Sequence, residues 1–119
     1  MPAGSLSDIQ LLLRSSVELA KVSHEKMTVR QTLFLFAVSY HSLKGESVTL
    51  SRLRGLYSPL GRSIEKSISQ FLEPTARTPD ALGWIVQTLD PSDRRLRYLS
   101  LSEAGAKALR EIIAAMRRS

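Results

Sequence analysis

Between Gly83 and Ser102 the chain changes its hydrophobic rhythm, and that change constrains its fold more than any other feature. Trp84 to Leu89 is a run rich in β-formers and Leu96 to Leu101 is a second, with Asp90-Pro91-Ser92-Asp93 as turn chemistry between them. The expectation is a β-hairpin with Arg94, Arg95 and Arg97 at or beside its tip. Elsewhere the apolar residues recur at helical spacing, so the predicted fold class is mainly α with one small β-hairpin, α+β in sum.

The helices announce themselves by their caps. Ser7 and Gln10 stand at capping-box spacing and open a helix to about Val22, with Ile9, Leu12, Leu13, Val17 and Ala20 on one face. Thr28 and Gln31 repeat the signature, and Leu33, Phe36, Ala37, Tyr40 and Leu43 follow until Gly45 stops the pattern. Thr49 caps a short helix carrying Leu50, Leu53 and Leu56. Ser58 precedes Pro59 in the order of a cap residue and a first-turn proline, which predicts a helix from Pro59 to about Leu72. Two helices joined with almost no loop suggest a helix-turn-helix. Pro74 to Leu82 reads as a surface loop. Ser102 caps a last helix over about 102–118, with Ala108, Leu109, Ile112, Ile113 and Met116 on one face.

On a wheel of the Pro59 to Leu72 segment, Leu60, Ile64, Ile68, Phe71 and Leu72 form one stripe, which must be the buried side. Arg62, Ser63, Lys66, Ser67 and Gln70 fall opposite, with Glu65 near the edge. That face suits insertion into a major groove, and it also reads as a merely solvated surface. Charge favours a polyanionic partner: seventeen Lys and Arg against eleven Asp and Glu give a net charge of +6 and a pI near 10.2. Most of the cations are Arg, whose planar fork matches phosphates and guanine edges better than the point charge of Lys. A basic surface with no partner is the other reading.

The 119 residues fit a single domain spanning 1–119, and 43% hydrophobic with 24% charged residues is the composition of a chain that folds. Without Cys there is no disulfide, thiolate metal site or Cys nucleophile. The longest apolar run, Leu33 to Val38, is far too short to span a membrane, and Met1 to Asp8 does not resemble an export signal, so a cytoplasmic location is expected. His24 and His41 lack a metal or nucleophile constellation, and His24-Glu25 reads as a surface pair. No Gly-rich phosphate loop follows a strand, and Phe34, Phe36, Tyr40 and Trp84 read as core or interface. No enzyme activity, cofactor, metal or small-molecule effector is indicated.

The order of elements, helix, helix, short helix, polar-faced helix, arginine-tipped hairpin and helix, resembles the MarR family of winged helix-turn-helix regulators. The resemblance is carried by Asp90-Pro91-Ser92-Asp93-Arg94-Arg95 and by Leu99-Ser100-Leu101-Ser102-Glu103-Ala104-Gly105, and more weakly by Met27-Thr28-Val29-Arg30-Gln31. Its departures lie at Ser92, in the longer Pro74 to Leu82 loop and in Ser58-Pro59-Leu60-Gly61. The resemblance implies that the polar-faced helix enters the major groove and that the hairpin is a wing reaching the minor groove. It implies that Asp93 orients a wing arginine, that Arg94 or Arg95 reaches DNA, and that the N- and C-terminal helices pair two chains. A salt-bridged hairpin tip is the other reading of Asp93. The function so implied is sequence-specific binding of double-stranded DNA by a transcriptional regulator, a repressor occupying a pseudo-palindromic site as a homodimer. The alternative is a winged-helix protein-interaction module, or an architectural nucleic-acid-binding protein without sequence-specific regulation.

Overall fold

The structure is a computed structural model that describes residues 6–22 and 27–118; His24 and Glu25 lie outside them. Helix α1 runs Leu6–Val22 and α2 runs Val29–Leu43. The capping box expected at the head of α2 is complete: Thr28 Oγ1 accepts from the Gln31 amide at 3.1 Å, and Gln31 Oε1 accepts from the Thr28 amide at 2.8 Å. Beyond α2 the chain turns at Gly45, whose φ of +81° suits a residue without Cβ. A two-residue strand β1, Val48–Thr49, then precedes helix α3, Leu50–Leu56. Two residues offer no periodicity, and this strand was not legible in the sequence. Thr49 pairs with Tyr98 in the sheet, and its Oγ1 accepts from the Arg52 amide at 3.2 Å as the cap of α3.

The continuous helix predicted from Pro59 to Leu72 is corrected by the structure. The segment is a chain of 3-10 turns over Ser58–Leu60, Arg62–Lys66 and Ile68–Phe71. Ser58 makes no side-chain cap, and Gly61, at φ +68° and ψ 175°, interrupts the backbone after the first turn. A second interruption lies at Ser67, whose carbonyl accepts from Gln31 Nε2 of α2 at 3.3 Å. The apolar stripe still points inward, with Leu60 and Phe71 fully enclosed and Ile64 and Ile68 buried. Burial therefore follows the hydrophobic pattern although the backbone is wound more tightly than α.

Strands β2, Ile85–Leu89, and β3, Arg97–Leu101, form the expected hairpin, and β1 joins its far edge to give the antiparallel order β1-β3-β2. Asp90 organises the turn: its Oδ2 accepts from the amides of Ser92 at 3.0 Å and Asp93 at 2.8 Å. Helix α4, Glu103–Arg117, starts at Ser102, whose Oγ accepts from the Gly105 amide at 3.0 Å and donates to the Gly83 carbonyl at 2.7 Å. One core joins these elements, centred on Phe34, Leu35, Val38, Leu53, Ile64, Phe71 and Leu99. Phe34 and Phe71 meet with ring centroids 5.7 Å apart, fixing α2 on the 3-10 segment. Helix α1 packs on α4, to which Leu19, Leu109 and Ile112 contribute buried side chains. The whole is a winged helix, with the hairpin as wing.

Candidate nucleic-acid interface

The 3-10 segment divides the polar residues singled out in it. Arg62, Ser63 and Lys66 are exposed. Ser67 and Gln70 are half-buried and turned to local partners: Ser67 Oγ donates to the Ile64 carbonyl at 3.1 Å, and Gln70 Oε1 accepts from Gln31 Nε2 at 3.1 Å. The Gln70 Nε2 is buried without a hydrogen-bond partner among the described residues. Gln70 thus serves to hold the segment on α2 in this state. Glu65 is engaged by Arg54 of α3, Nη2 to Oε2 at 3.1 Å, which partly neutralises the one acid on this face.

At the wing, the Asp93 carboxylate grips Arg95 through three hydrogen bonds: Oδ1 accepts from the Arg95 amide at 3.0 Å and from Nε at 3.2 Å, and Oδ2 accepts from Nη2 at 3.3 Å. These bonds, the side-chain ones first, hold the Asp93 carboxyl below the usual aspartate range. The pair fixes the direction of the guanidinium on a side chain that is 91% exposed. Arg94 and Arg97 are exposed beside it.

The wing and the 3-10 segment face each other across an open groove of about 740 Å³. Arg54, Arg94, Arg95 and Arg97 line it against the single acid Glu65, over an apolar floor of Ile68, Leu72 and Leu99. Arg54 was not anticipated as part of the site, since its place beside the wing depends on how α3 meets the sheet and leaves no trace in local spacing. Such a groove concentrates positive potential between low-dielectric walls and attracts extended polyanions.

His41, buried at the end of α2, bonds Glu46 Oε1 through Nδ1 at 2.8 Å and the Tyr57 hydroxyl through Nε2 at 3.0 Å. An ionised carboxylate only accepts, so Nδ1 carries the hydrogen toward Glu46, and Nε2 shares the second bond with the Tyr57 hydroxyl. The bond from His41, with Lys44 and Arg52 nearby, lowers the Glu46 pKa. Of the aromatic residues read as core or interface, Phe34 and Trp84 are core, while Phe36 and Tyr40 are exposed on α2. No group of His, Asp and Glu side chains suited to a metal ion occurs among the described residues. No helix among them is long and apolar enough to cross a membrane.

No family model and no curated protein sequence matches the chain. Solved structures do. A probable transcriptional regulator from Pseudomonas aeruginosa superposes with a TM-score of 0.54 at 23% sequence identity, covering 95% of this chain and 77% of that one. The YusO protein from Bacillus subtilis superposes with a TM-score of 0.56 at 22% identity, covering 94% of this chain and 75% of that one. This degree of likeness establishes the shared winged-helix fold.

Proposed function

We propose that the chain is a MarR-like regulator of transcription that binds duplex DNA sequence-specifically, acting as a cytoplasmic repressor that occupies a pseudo-palindromic site as a homodimer. The observation that carries this reading is the groove between the 3-10 segment and the wing, lined by Arg54, Arg94, Arg95 and Arg97. Exposed Arg62, Ser63 and Lys66 present donors and charge to the major groove, where a bidentate arginine on guanine contributes about 1–3 kcal/mol of discrimination. Ser67 and Gln70 are placed behind them, and Gln70 supports rather than reads. The wing supplies arginines to the narrow, electronegative minor groove, with Asp93 aiming Arg95. Binding is thus divided between base contacts that specify and phosphate contacts that position. The likeness to a probable transcriptional regulator agrees with this assignment.

Fluorescence anisotropy of a labelled duplex, titrated at several salt concentrations, tests the reading. Arg94→Ala combined with Arg95→Ala lowers affinity for all duplexes and flattens the plot of log affinity against log salt, by roughly 0.9 for each phosphate no longer neutralised. Equal affinities with parallel slopes would remove the wing from the interface.

A further inference from the structure

The first turn of α2 docks on the 3-10 segment at two places. Gln31 reaches Ser67 and Gln70. Arg30 reaches the other end, its Nε donating to the Pro59 carbonyl at 2.8 Å. Arg30 is exposed, and its Nε lies 4.0 Å from the point where a Cβ on Gly61 would stand, which puts the guanidinium beside Gly61, the residue before exposed Arg62. The acceptor at Pro59 is a neutral carbonyl, which orients the guanidinium without compensating its charge. Bonding through Nε also leaves the outer edge of the planar fork directed away from that carbonyl. An exposed arginine ordinarily loses rotamer freedom when it engages a ligand, and this tether has ordered the side chain in advance.

We propose that Arg30 is a further DNA-contacting residue, gripping the sugar-phosphate backbone at the Pro59 end of the recognition segment while Arg62 faces the bases. The inference rests on the DNA-binding reading given above. It adds a contact from α2, whereas the wing arginines line the groove beside Glu65, Ile68 and Leu72. A phosphate contact carries no sequence information, so removing it weakens specific and unrelated duplexes alike.

Anisotropy titrations over a salt series compare the unaltered protein with Arg30→Ala and Arg30→Lys, on a fluorescein-labelled duplex selected from a random pool and on its scrambled counterpart. Arg30→Ala is expected to weaken both duplexes equally and to make the salt slope shallower by about 0.9, and Arg30→Lys, which keeps the charge, to recover the slope. If Arg30→Ala also lowers the melting temperature, Arg30→Gln replaces it under the same criteria. Unchanged affinity and slope overturn the inference. So does a fall in affinity with the slope unchanged, which assigns Arg30 to holding Pro59 alone. Failure of the unaltered protein to bind any duplex at low salt is a different result: it overturns the DNA-binding reading itself, and this inference with it.

Discussion

Gly105 is buried where α4 meets the start of β2, and a Cβ built on it would collide with the Trp84 carbonyl oxygen. That same carbonyl accepts from the Ser102 amide at 2.9 Å, so it has little freedom to withdraw. Gly105→Ala must therefore separate α4 from the sheet, an overpacking that costs about 1–3 kcal/mol. Urea denaturation should show the midpoint falling with the slope unchanged, and a variant as stable as the parent would mean that the helix shifts without cost. Asp93 makes a prediction in pH. Its folded carboxyl titrates below the ordinary value because Arg95 bonds the ionised form, so its contribution is present above the unfolded pKa and lost as pH falls through the folded one. Carboxyl NMR should place the Asp93 midpoint on the acid side of the usual range, and Arg95→Ala should move it upward. A midpoint indifferent to that substitution would show that the pair does not persist in solution.

Thr28 with Gln31, Thr49, Ser102 and the Asp90 turn were legible because each satisfies named backbone groups locally, whereas Ser58 makes no cap and Ser7, expected to open the first helix, lies inside α1, which already starts at Leu6. The hairpin was legible for the same reason. What spacing hid was the winding of the 3-10 segment. Leu60, Ile64, Ile68 and Phe71 satisfy an α-helical wheel, yet Gly61 and the hold of Gln31 on Ser67 are tertiary choices that a wheel does not contain. Local contacts decide which polar side chains of the element are available, Gln70 being drawn to Gln31 of α2 and Ser67 Oγ to the Ile64 carbonyl, with Arg62, Ser63 and Lys66 left outside. Arg62→Ala is expected to cost about 1–3 kcal/mol at one base position if its guanidinium reads a guanine, and to relax preference there alone. Selection of bound duplexes with parent and variant measures this, and identical preferences would mean that Arg62 faces solvent or a phosphate.

The described residues do not form a fully compact body. Their radius of gyration is 15.3 Å, where a compact domain of this length has about 13.5 Å, and their extents are 49 × 32 × 26 Å. Helix α1 packs on α4 through one side, while Leu6, Ile9, Leu13 and Val17 recur at helical spacing on another and remain 78%, 49%, 63% and 45% exposed. A continuous apolar stripe left in water is unfavourable for a monomer, and burial against a second copy removes it. The proposed homodimer thus has a physical motive independent of the family resemblance. It also has a functional one, because two recognition segments held by one two-fold axis match a pseudo-palindromic duplex. Leu13→Glu combined with Val17→Glu should convert a dimer to a monomer while leaving the core around Phe34 and Phe71 intact, since neither substituted side chain lies in it. Sedimentation velocity over a range of concentrations reads the assembly, and the near-ultraviolet spectrum of Trp84 reads the fold. The monomeric variant should also bind a single half-site and lose affinity for the full site. A parent chain that sediments as a monomer at high micromolar concentration would dissolve the dimer, leaving any sequence preference to one recognition segment and one wing.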